Sequence, residues 1–165
     1  MTDFENARPA PGQAATLAPK DEPVATVTAE LGSGTVTTIQ ARQFSWTSDE
    51  PLTKNGTDTG PTPYELLLGS LAACTAVTLR LYADHKGIQL DCVKVSLTFD
   101  RVHADDCLDC DERANGMIER IESSVVISGD FDDAQRKRLA QVAQRCPVHK
   151  TLVNGVHISD AVSFD

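Results

Sequence analysis

The sequence predicts an α+β protein in which antiparallel strands precede, separate and follow two helical segments. Three observations carry that prediction. Valine- and threonine-rich segments flank a glycine turn near residue 32, an almost uninterrupted apolar stretch runs from Tyr64 to Gly87, and Val93, Val95, Leu97 and Phe99 alternate with polar neighbours. β-Branched runs around glycines favour hairpins, and period-two alternation favours a half-buried strand. With 165 residues, the chain is the size of one domain with one core. No internal repeat interrupts that reading.

Taken in order, residues 1–22 are rich in Ala, Pro and small polar residues and hold no sustained period, which predicts a mobile tail ahead of one domain over residues 23–165. From Val24, the run VATVTAEL, Gly32-Ser33-Gly34 and then TVTTIQAR predicts a hairpin, and Gln43 to Thr47 adds a third strand. Residues 49–63 hold three prolines and two glycines and end on a Pro suited to a first helical turn. The following apolar helix closes with Lys86 and Gly87, a cationic last turn and a C-cap glycine, and reads as the buried central helix. Beyond the 93–99 strand, Ile118, Ile121 and Val125 to Ile127 form a second strand that pairs with it across the loop of residues 103–116. Asp132 and Asp133 open an amphipathic helix through Arg145, with Leu139, Val142 and Cys146 on one face. Cys146-Pro147 starts another helix, and Val156 to Val162 reads as a closing strand.

The composition narrows function. With 41% apolar, 24% charged and 5% aromatic residues, it is that of a soluble globular protein. Fifteen Lys and Arg against 24 Asp and Glu give a formal charge of -9 without a basic cluster, which argues against nucleic acid and anionic membrane partners. The amino terminus lacks the basic and apolar regions of a secretory signal, and the apolar run is judged short of the roughly 20 residues that span a bilayer. The expectation is a cytoplasmic, reducing setting. Cysteines at 74, 92, 107, 110 and 146 are odd in number in a chain that needs no disulfide staples, so thiol chemistry is expected.

Cys74 lies mid-helix among Ala72, Ala73 and Ala76, whose small side chains leave room for close approach to its sulfur. A buried Cys acting as a small hydrophobe is the alternative. Cys146, directly before Pro147, sits where a helix N-terminus offers free N–H groups and a positive dipole, which favour a thiolate; the alternative is a plain cap. Together they make a redox pair, provided the fold brings them within disulfide reach. His149 is a candidate neighbour of Cys146 or an exposed histidine. His103, Cys107 and Cys110 form a His and Cys-x-x-Cys constellation open to three readings: incidental thiols in an acidic loop, an accessory redox pair, or a metal site short of a fourth ligand. Cys92, His85 and His157 are taken as structural or surface residues.

The string GPTPYELLLGSLAACTAVTLRLYADHKG, followed by a strand, a further helix and RCPVHKTL, resembles the family of the osmotically induced protein OsmC and the organic hydroperoxide resistance proteins, from about Val24 to Val162. The resemblance implies an OsmC-like fold with antiparallel sheets packed on two central helices, an intertwined homodimer, and sites at the subunit interface. It implies that Cys74 attacks an organic hydroperoxide, that Cys146 resolves it as a disulfide, and that a dithiol reductant restores the pair without metal, haem or flavin. Family members hold the thiolate with an Arg that a Glu fixes. Here Tyr64 occupies that Glu position, Glu65 the adjacent one, and Arg42 is favoured over Arg80 for the guanidinium. An apolar pocket lined by Leu68 and Leu71 is expected to prefer alkyl or aryl peroxides. The alternative is a hydrophobic-ligand binder or redox sensor on the same fold.

Overall fold

The computed structural model describes residues 23–103 and 116–164. The proposed tail, and the loop carrying Cys107 and Cys110, lie outside these residues. The element order is β1 (Thr28–Leu31), β2 (Thr37–Ala41), β3 (Phe44–Ser48), a short 3-10 turn (Leu52–Lys54), α1 (Pro63–Lys86), β4 (Leu90–His103), β5 (Met117–Gly129), α2 (Asp133–Ala143) and α3 (Pro147–Asn154). The first three strands form one antiparallel sheet in sequence order and β4 with β5 a second. Ala41 pairs with Phe44, so Arg42 and Gln43 alone make the β2–β3 turn, and Arg42 takes a left-handed φ of 53°.

The start of α1 follows from local chemistry. Pro63 supplies the preset φ of a first helical residue, and Thr62 and Glu65 form a reciprocal capping box. Gly87, at φ 63°, ends the helix in the left-handed conformation that glycine adopts without cost. Along α1, Leu71, Thr75, Leu79 and Ala83 recur every four residues and are buried. That stripe packs on β4, α2 and α3. Leu79 and Ala83 join Ile88, Leu90, Phe131, Leu139 and Val142 in one core. The opposite side of α1 is uncovered: Val77 and Leu81 are exposed.

Two expectations change. Residues 155–164 form no strand and pair with none among the described residues, so the alternation expected to close the fold stays without a partner; Val156, Ile158, Val162 and Phe164 lie exposed. The apolar run also proves long: α1 has 24 residues with an 18-residue window of mean hydropathy 1.6, enough by length and composition to cross a bilayer. Its only central charge, Arg80, is spent on the fold, donating to the carbonyls of Leu90 (2.6 Å) and Asp91 (3.2 Å) at the entry to β4.

Candidate active site

The site is built where α3 begins against the middle of α1. The α2 helix ends at Ala143, one short turn follows, and Cys146 becomes the N-cap of α3 with Pro147 as its first residue. Cys146 therefore belongs to the next helix, not to the α2 face with Leu139 and Val142, although all three are buried. Its Sγ accepts a hydrogen bond from the His149 backbone N–H at 3.3 Å. From the facing helix the Thr75 hydroxyl donates to the same sulfur at 3.5 Å, across 71 residues of sequence.

Cys74 is the residue next to Thr75. One helical residue is about 1.5 Å of rise and 100° of rotation. Cys74 accordingly lies on the shoulder between the buried stripe and the exposed Ala73–Val77–Leu81 side, and it is half-buried where Cys146 is fully buried. Both are free thiols, as is the exposed Cys92. The fold thus brings Cys146 to the residue adjoining Cys74.

The other expected residues stand apart. Glu65 is nine residues before Cys74 on α1, about 14 Å along the axis at helical rise. Its Oε2 accepts from the Thr62 backbone N–H at 2.7 Å, which holds the carboxyl below its ordinary value. Arg42 is exposed at the tip of the β2–β3 turn, with its guanidinium over the Phe44 ring at 5.1 Å. Tyr64 stacks on Phe99 of β4, with ring centroids 4.3 Å apart. Beside it Arg101 pairs with Glu119 at 3.1 Å; that carboxylate, and then Tyr64, push the guanidinium above its ordinary value.

Two cavities flank α1. The larger, about 740 Å³, lies between β5 and the α2–α3 pair; Leu71, Thr75, Ile121, Phe131 and Leu139 line it, with His149 and Arg136 among its polar groups. A smaller one of about 450 Å³ at the start of α1 is lined by Tyr64, Leu68, Phe99 and Arg101. Leu68 and Leu71, expected to share one pocket, are therefore divided between two: Leu68 lies at the start of α1 against Phe99 and Arg101, and Leu71 faces β5 and the α2–α3 pair. Among the described residues no group of three His, Cys, Asp or Glu side chains is placed to hold a metal ion.

Sequence reasoning missed Asp49, which is 1% exposed. Its carboxylate accepts from the hydroxyls of Thr35 (2.6 Å), Thr57 (2.7 Å) and Thr59 (3.1 Å) and from the backbone N–H groups of Glu50, Thr57 and Thr59. The Thr35 and Thr57 hydroxyls hold it far below the usual carboxylate range. This hub ties down the loop that delivers α1. The same loop needs Gly56, where an added Cβ would lie 1.7 Å from the Glu50 carbonyl oxygen. The Thr-x-Thr spacing after Asn55-Gly56 was the available signal.

Comparison with known proteins places this geometry. Residues 56–159 match the family of OsmC-like proteins. No curated protein matches the sequence. Among solved structures, an OsmC-like protein from Mycoplasma pneumoniae is 27% identical, with a TM-score of 0.59 over 81% of this chain and 89% of that one. An organic hydroperoxide resistance protein OsmC from Legionella pneumophila is 17% identical, with a TM-score of 0.56 over 78% of this chain and 88% of that one. The organic hydroperoxide resistance protein OhrB of Bacillus subtilis is 22% identical, with a TM-score of 0.51 over 77% and 88%. The last two likenesses speak for the fold, and the family match covers well over half of the chain. The chain belongs to the OsmC-like protein family.

Proposed function

We propose that this protein is a cytoplasmic, homodimeric thiol peroxidase that reduces organic hydroperoxides to alcohols. The Cys74 thiolate attacks the outer peroxide oxygen; the O–O bond breaks, the alkoxide takes a proton and leaves as the alcohol, and Cys74 becomes a sulfenic acid. The Cys146 thiolate then attacks the Cys74 sulfur, forming the disulfide and expelling hydroxide, which leaves as water. A dithiol reductant returns both cysteines to thiols by exchange.

The observation that carries the reading is the unequal burial of two thiols held against the same stretch of α1. The half-buried Cys74 is open to a peroxide, while the fully buried Cys146 accepts from Thr75 beside it and from the N-terminus of α3. Glu65 acts by fixing the first turn of α1, and Arg42 is the orienting cation, offered from its exposed turn to the thiolate of a second copy. The second copy is supported by the uncovered Val77 and Leu81 on α1 and by the unpaired, alternately apolar residues 155–164.

Stopped-flow reduction of cumene hydroperoxide by wild type, Cys74→Ser and Cys146→Ser tests the chemistry. Cys74→Ser is expected to be inactive, whereas Cys146→Ser completes the first step and stalls at the sulfenic acid. A Cys74→Ser variant reacting at the wild-type rate would end the proposal. Sedimentation of the wild type as a monomer at micromolar concentration would end the dimer.

The large apolar cavity favours a second reading, binding of a hydrophobic ligand. It predicts that a lipid probe binds undiminished after all cysteines are alkylated.

A further inference from the structure

Thr75 is 5% exposed in a stripe otherwise made of Leu71, Leu79 and Ala83, a setting in which Val would pack equally well. A hydroxyl withdrawn from water is costly unless it finds a partner. Here its partner is the Cys146 sulfur at 3.5 Å, which also receives the His149 N–H at 3.3 Å. Two donors from two helices thus converge on one atom. Neutral thiols are weak acceptors, and hydrogen bonds strengthen when the acceptor carries charge, so this pair of donors is worth most when the sulfur is a thiolate. The hydroxyl also fixes where the sulfur points, toward α1 and one residue from Cys74. Nothing about a merely capping Cys146 requires a donor from α1, since the His149 amide already satisfies the cap.

We propose that Thr75 is a positioning residue for the resolving step: its hydroxyl holds the Cys146 thiolate against α1 in readiness for the sulfenic acid on Cys74. The proposal rests on the peroxidase reading given above. In the step it serves, the Cys146–Cys74 S–S bond forms as the Cys74 S–O bond breaks, and the hydroxide that leaves takes up a proton. By keeping Sγ turned toward α1, the hydroxyl holds the attacking atom in a near-attack position, which the sulfur would leave without it. Thr75 touches neither peroxide nor the departing oxygen in this scheme. Its loss slows resolution and spares the first step.

The test compares full-length wild type, Thr75→Val and Thr75→Ser, mixed with one equivalent of cumene hydroperoxide and quenched at intervals. Cys74 sulfenic acid is read by dimedone trapping and the Cys74–Cys146 disulfide by peptide mass spectrometry. Removing one hydrogen bond to a charged group is expected to slow disulfide formation about tenfold in Thr75→Val, with correspondingly more dimedone adduct. Thr75→Ser, which keeps the hydroxyl and loses the methyl, is expected to stay within about threefold of wild type, as is the first step in both variants. Disulfide formation at the wild-type rate in Thr75→Val would overturn the proposal while leaving the peroxidase reading intact. Equal slowing in Ser and Val would overturn it as well, by assigning the effect to packing. Failure of the wild type to form any Cys74 sulfenic acid would remove the peroxidase reading and the role of Thr75 with it.

Discussion

Replacing Cys146 by Ser and by Ala separates what its sulfur does for the fold from what it does for the chemistry. The side chain is fully buried, caps α3 by accepting from the His149 N–H, and accepts from the Thr75 hydroxyl. Alanine removes the one acceptor that both donors share and leaves a void the size of a sulfur atom. Loss of an N-cap costs about 1 kcal/mol. A buried hydroxyl left without a partner costs about 1 kcal/mol more, and the small void adds roughly half of that. Cys146→Ala is therefore expected to lose about 2.5 kcal/mol, which for a chain of this length corresponds to a melting temperature lower by roughly 5–10 °C. Serine is a better N-cap residue than cysteine and still accepts from both donors, so Cys146→Ser is expected to melt within about 2 °C of wild type. Thermal and urea unfolding of the reduced proteins at one fixed concentration measures this, since association would make the midpoint depend on concentration. Equal destabilisation of the Ser and Ala variants would refute the cap and the Thr75 contact together.

Asp49 makes stability depend on acid. Its folded value lies below its unfolded one, so its contribution is complete above the unfolded value of about 4 and is lost as pH falls toward the folded value. Urea midpoints should accordingly drop between about pH 4.5 and pH 2.5 in wild type, and Asp49→Asn should lack that part of the slope; identical slopes would exclude the hub as its source. Glu65→Gln keeps a capping-box partner for Thr62 and is expected to leave both melting and peroxide reduction within about twofold, while Glu65→Ala lowers the melting temperature. A tenfold loss of activity in Glu65→Gln with unchanged melting would show that the carboxylate charge itself is used. Arg42→Gly relieves about 1 kcal/mol of left-handed strain, offset by the 0.5–1 kcal/mol entropy cost of glycine, so it should melt within a few degrees of wild type. Slowing of the first chemical step by tenfold or more is expected from the lost guanidinium, and a wild-type rate would remove Arg42 from the site.

Most elements were legible because their signals are local. Pro63 and Gly87 bound α1, Asp132 opens α2, Pro147 opens α3, and the alternation from Val93 to Phe99 gives β4; each acts within a turn of the residues it organises. The same locality explains the failure at Val156 to Val162. The alternation there is real, but a strand forms only where its backbone is paired with another, and no local rule reports whether a distant segment will supply that pairing. At the site, the placement of Cys146 at a helix start was readable from Cys-Pro, whereas its contact with Thr75 depends on how α3 docks on α1. Asp49 was hidden for a related reason: an acid before Glu50-Pro51 looks like any loop residue until the chain folds back to bring Thr57 and Thr59 onto it. Arg80 was the less favoured candidate for the guanidinium, and its hydrogen bonds to the start of β4 give it a structural task.

In the proposed reaction, the order in which the two thiols act follows from burial before any question of intrinsic reactivity arises. A peroxide too large to enter a packed interior meets the half-buried Cys74, whereas the fully buried Cys146 is reachable chiefly by a group already attached to α1. Under the proposed reaction that group is the Cys74 sulfenic acid. The arrangement would protect the resolving sulfur from direct oxidation and commit it to one partner. It also leaves Cys74 beside the uncovered Val77 and Leu81 side of α1, where bulk water competes for every polar contact to a thiolate. Covering that side with the same face of a second copy would bury apolar surface and dry the attacking sulfur in one event. Association and activity should then fail together when that face is made polar.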